Sequence, residues 1–124
     1  MGKMVKKRFS LLVDTASQSY TKTFHLDKNI RLVHGLLVSS DKPNQLFYRG
    51  SQRIEIGGDE LYPEDYESRL LMSGISVPPD EKFASLGDVP AANGEVKILY
   101  KDRENSNTMF EPYEVSIYLI CELI

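Results

Sequence analysis

Polar and apolar positions alternate along most of this chain, most cleanly near its C-terminal end. Tyr113, Val115, Ile117, Leu119, Cys121 and Leu123 fall on every second position, with Glu114, Ser116, Tyr118, Ile120 and Glu122 between them. Successive side chains of a strand point to opposite faces, so this spacing predicts a strand with one row set against a core. A chain end that lies inside such a row is expected to be docked in a sheet.

The same period recurs upstream. Phe9, Leu11 and Val13 alternate with Ser10 and Leu12, and a turn is expected over 14–19. Residues 20–26 predict a second strand with Phe24 and Leu26 inward, and 27–29 a turn. Residues 30–40 predict a longer strand in which Gly35 marks a bulge or a close backbone approach. Asp41, Lys42, Pro43 and Asn44 carry turn chemistry, and short strands are expected at 45–49 and 53–56. Gly57 and Gly58 suit a tight hairpin that returns into Glu60, Leu61 and Tyr62. Pro63, Glu64 and Asp65 are expected to open one helical turn, and 69–73 to be buried. A loop rich in Pro and Gly is expected over 74–94, pinned by Phe83 and Leu86. Residues 95–100 predict a strand with Val96, Ile98 and Tyr100 inward, and 101–108 a polar loop.

About eight strands separated by turn signals imply an all-β fold: a single β-sandwich, jelly-roll-like, with mostly antiparallel pairing. The long connections favour Greek-key crossings over simple hairpins. An immunoglobulin-like sandwich is the alternative topology, without its usual Trp and cysteine pair. At 124 residues the chain suits one domain, divided here into a basic N-terminal arm, 1–8, and a sandwich, 9–124.

Charge sharpens that division. The net charge is -3, yet Lys3, Lys6, Lys7 and Arg8 stand in the first eight residues without an acid among them. A basic arm on an acidic body suggests a clamp onto a neighbouring copy; nucleic acid is not an expected partner, because the body would repel phosphate. No apolar run approaches the roughly 20 residues that span a bilayer. The basic start lacks the continuous apolar segment of a signal peptide, so a virion or cytoplasmic location is expected. Cys121 is the single cysteine, which excludes an intrachain disulfide, and its place on the apolar row predicts a small buried hydrophobe.

Candidate chemistry is sparse. His25 and His34 have no metal-ligand spacing, and no nucleophile elbow or phosphate loop is present. Asp59, Glu60, Glu64, Asp65 and Glu67 form an acidic group. Carboxylates so placed can bind Ca²⁺, form a solvated rim, or receive Lys6, Lys7 and Arg8 from a neighbour. Arg49 and Arg53 flank Gly50, Ser51 and Gln52 and suit ion pairs between subunits or a solvated face. Tyr48, Tyr62, Tyr66 and Tyr113 are candidates for stacking on a sugar.

The expectation is therefore a non-enzymatic structural or assembly protein, without a cofactor, that forms a symmetric homo-oligomer with its copies meeting edge to edge. Its partners would be copies of itself and other shell proteins. The strand count and layout resemble the small single jelly-roll proteins of viral capsids, vertex proteins included, and this likeness implies a virion component. A carbohydrate- or ligand-binding sandwich is the alternative.

Overall fold

The structure, a computed structural model, describes residues 3–68, 71–72 and 84–123. Among the described residues lie eight strands and one helix: β1 (Met4–Val13), β2 (Ser19–His25), β3 (Ile30–Ser40), α1 (Pro43–Arg49), β4 (Gly50–Ile56), β5 (Asp59–Glu67), β6 (Ala84–Pro90), β7 (Glu95–Asp102) and β8 (Tyr113–Leu123). The first sheet has the order β1-β8-β3-β6 and the second β2-β7-β4-β5. Every pairing is antiparallel. The first strand pairs with the last, β2 with β7, β3 with β6 and β4 with β5. That is one long hairpin rolled over on itself, the jelly roll.

The core is built from the alternating rows. Val115, Ile117, Leu119 and Cys121 of β8 face Ile54, Ile56, Val96 and Ile98 of the second sheet's strands, and all are at most 1% exposed. β8 and β7 are inner strands, each paired on both sides, which favours the clear alternation they show. Phe9 and Phe24, on adjoining edge strands, stack with centroids 4.7 Å apart and close one side of the sandwich. Gly57 and Gly58 have φ of 60° and 90°, the two positive values of a type I′ hairpin turn between β4 and β5. Gly35 lies at a register irregularity in both of β3's pairings, the expected bulge.

Several segments differ from expectation. Residues 45–49 belong to α1, not to a strand: Pro43 starts the helix, and Gln45, Leu46 and Arg49 share its buried face. The short apolar run over this segment fits either period, and helical spacing places Arg49 where a buried carboxylate awaits it. β5 runs through Pro63, Glu64 and Asp65 without a helical turn. An edge strand tolerates proline, and β5 is an edge with an irregular register to β4. Within the expected 74–94 loop lies β6. Residues 73–83, Phe83 among them, fall outside the described set, as do Arg69 and Leu70. The basic arm is not separate: Met4–Val13 is one strand, paired along its whole length with β8, because Val5, Phe9, Leu11 and Val13 continue the inward row through the cations.

Candidate assembly surface

Several buried polar groups are joined into a network at the α1 end. Arg49 and Asp102 have side chains only 3% and 0% exposed. The Arg49 guanidinium donates from Nε to Asp102 Oδ1 at 3.1 Å and from Nη2 to Oδ2 at 2.8 Å. Asp102 also accepts from the Ser17 amide at 2.9 Å and from the Tyr113 hydroxyl at 2.7 Å. The Tyr113 hydroxyl lies 2.8 Å from that of Tyr100. Ser68 and Gln52 add a second buried hydrogen bond nearby. Burial is the main cause that pushes both phenols above the ordinary tyrosine range, so they remain neutral donors. The hydrogen bonds that Arg49 donates to Asp102 raise the pKa of the guanidinium. The Arg49 guanidinium also sits 5.2 Å from the centre of the Phe110 ring.

Beside this network lies an open cavity of about 500 Å³, lined in part by Ser17, Arg49, Asn105, Thr108 and Phe110. Gln45 holds its outer loop, donating from Nε2 to the Met109 carbonyl at 2.6 Å and accepting from the Glu111 amide at 3.3 Å.

The two outer faces of the sandwich differ in character. On the second sheet, Thr21, Leu99 and Arg53 lie in one line, and Thr23, Lys97, Glu55 and Glu60 in the next. Arg53 pairs with Glu55 and Glu60 at 2.8 Å each, which raises its pKa and leaves a charged surface. On the first sheet, the outward lines are Met4–Glu122–Leu32, Lys6–Ile120–Gly35 and Arg8–Tyr118–Leu37. Leu32, Leu37, Tyr118 and Ile120 are half-buried, and Met4 is 51% exposed. Leu37, Tyr118 and Ile120 are neighbours on β3 and β8, whereas Glu122 stands between Met4 and Leu32.

Charge borders the patch on both sides. Arg8 pairs with Glu114 at 2.7 Å and reaches the Ser116 hydroxyl at 2.9 Å. Toward the β6 side, His34 of β3 touches Asp88 through Nδ1 at 2.9 Å and, within the face, Glu122 of β8 through Nε2 at 3.0 Å. Arg31 also pairs with Glu122. Hydrogen bonds from Arg31 and then His34 hold the Glu122 carboxyl below its usual range.

Among the described strands, the sheet edges are guarded. Lys7 lies on the inward row of edge strand β1, opposite Leu119, and turns out to Asp27 at 2.6 Å. Lys22 occupies the matching row of edge strand β2, opposite Ile98, and is exposed. An inward-row charge obstructs a further strand from adding there. β5 carries Pro63, and β6 carries Gly87 at φ 72° and ends at Pro90.

The expected site residues thus scatter. Lys6 and Arg8 border the first sheet's outer face, whereas Lys7 belongs to the β1 edge. Arg49 is buried structure and not a surface ion pair; Arg53 and Glu60 pair on the second sheet. Asp59 opens β5, opposite Ile56. Glu64 and Asp65 lie in the same strand, with side chains outside the described set. Of the tyrosines, Tyr113 is 1% exposed, Tyr62 and Tyr66 pack on each other with centroids 4.8 Å apart, and Tyr48 is 40% exposed. Among the described residues, no cluster of three His, Cys, Asp or Glu side chains is placed to hold a metal ion. Among them, too, no helix is long and apolar enough to cross a membrane. Cys121 is buried and free, and burial pushes its thiol up to about 11. No family model, no curated protein and no solved structure matches this chain.

Proposed function

We propose that this protein is a non-enzymatic assembly subunit: a jelly roll that builds a symmetric homo-oligomer through the outer face of its first sheet. The observation that carries the reading is the group Leu37, Tyr118 and Ile120, neighbours on the two central strands and flanked by charge, on a sandwich whose described edges are guarded. Strands about 4.8 Å apart and about 3.3 Å per residue give a four-stranded face roughly 600 Å² in extent. Two such faces total about 1,200 Å², the lower end of specific protein interfaces. The interior supports the same reading, since Arg49, Asp102, Tyr113 and Tyr100 satisfy one another. A shell or vertex component of a virion, meeting its own copies and other shell proteins, is the particular role proposed within this class. Jelly rolls serve widely in such shells, although fold alone does not assign function.

Sedimentation of the purified protein from low to high micromolar concentration tests the reading. A mass that rises to a closed oligomer supports it; a monomer throughout rejects it. The 500 Å³ cavity beside Phe110 and Thr108 favours a second reading, a module that binds a small polar ligand. Nuclear magnetic resonance titration with a panel of oligosaccharides tests that one, and unshifted resonances for residues 104–110 would discard it.

A further inference from the structure

We infer that two copies dock these faces about a two-fold axis running along the strands, setting Lys6 of each copy against Asp88 of the other. The inference rests on the assembly reading and adds its symmetry and its specificity.

The first sheet runs β1-β8-β3-β6, so β1 and β6 are its opposite margins and β8 and β3 its centre. The β1 margin is basic, with Lys6 and Arg8 on its outward row. The β6 margin is acidic at Asp88, whose side chain is 75% exposed. Sheets stacked face to face keep their strands nearly aligned, which leaves two simple choices of two-fold axis in the interface plane. An axis across the strands lays β1 on the partner's β1, and Lys6 and Arg8 then meet like charges. An axis along the strands lays β1 on the partner's β6, and the charges are opposite. Like charges brought together at an interface are unfavourable, so the second arrangement wins.

Register supplies the height. Lys6 is level with Ile120, and Ile120 with Gly35. Asp88 meets His34, the residue beside Gly35, so Lys6 and Asp88 stand at nearly one height on opposite margins. The usual offset of about 30° between aligned sheets moves a margin by roughly 3–4 Å, within a lysine's reach. The same axis lays β8 on the partner's β3, so Tyr118 of each copy meets Leu37 of the other and Ile120 lies over Gly35 of the other. These groups form the apolar part of the contact, with Lys6 and Asp88 at its rim.

Charge reversal tests this on the full chain. Lys6→Glu and Asp88→Lys, taken singly, are each expected to weaken the dimer about tenfold, because each turns two attractive rim contacts into repulsive ones. The double variant restores the opposite pairing and is expected to dimerise like the wild type. Circular dichroism of each variant checks the fold, and Leu37→Asp reports on the face itself. If Leu37→Asp dissociates the dimer while both single reversals leave it intact, the face is right and the axis is wrong. If the singles weaken the dimer and the double fails to recover, the pairing is also wrong. If the wild type never dimerises, the assembly reading and this inference fall together.

Discussion

Asp102 accepts four hydrogen bonds: two from the Arg49 guanidinium, one from the Ser17 amide and one from the Tyr113 hydroxyl. This uses the whole acceptor capacity of a carboxylate. Asp102→Ala leaves the Arg49 charge buried without compensation and is expected to cost about 3–5 kcal/mol. Urea unfolding measures it; a loss below about 1 kcal/mol would mean that Arg49 finds solvent. Glu122 gives a pH dependence of known sign. Arg31 and His34 hold its carboxyl low in the folded state, so the folded protein binds that proton less readily than the unfolded chain. The stabilisation is complete above the unfolded value of about 4.3 and is lost as pH falls through the lower folded value. Unfolding curves between pH 3 and 7 are therefore expected to show Glu122→Gln losing stability near neutrality and approaching the wild type in acid. A difference constant across that range would contradict the account.

At the scale of elements, the edge strands carry their own protection. Lys7 and Lys22 stand where the period-2 pattern calls for apolar residues, and β1 and β2 lie at the edges of their sheets. Replacing both by isoleucine completes two apolar rows on open edges. The variant is expected to fold and then associate through strand pairing, seen as growing light scattering with a rise in β-aggregate dye binding. A variant as dispersed as the wild type would show that the lysines do not guard the edges. These lysines also show which signals the sequence carries. The inner strands β7 and β8 were legible because both of their neighbours enforce the alternation, and the Gly57-Gly58 turn and the Gly35 bulge were legible from backbone chemistry. α1 was not, since 45–49 is too short for the two periods to separate and a buried Arg49 looks polar in sequence. β6 was hidden by Gly87 and Pro90, which mark it as a loop although an edge strand accepts them. The Arg49–Asp102 pair joins residues 53 apart, and His34–Glu122 residues 88 apart. No local pattern announces such contacts. The outer face of the first sheet was half legible: Tyr118 and Ile120 stand in the polar phase of β8, but only the strand order brings Leu37 beside them.

Across the whole molecule, one sequence produces two unlike surfaces on a rolled hairpin. The second sheet turns paired charges outward, and the first turns out an apolar centre between a basic and an acidic margin. The roll dictates this, because it separates β1 from β6 and places β8 and β3 between them. Assembly through that face is the central claim, and sedimentation velocity of the wild type beside Leu37→Asp tests it most directly. The wild-type mass is expected to rise to a closed oligomer with concentration, and the Leu37→Asp variant to stay a folded monomer. A wild type that remains monomeric, or a variant that assembles as the wild type does, would contradict it.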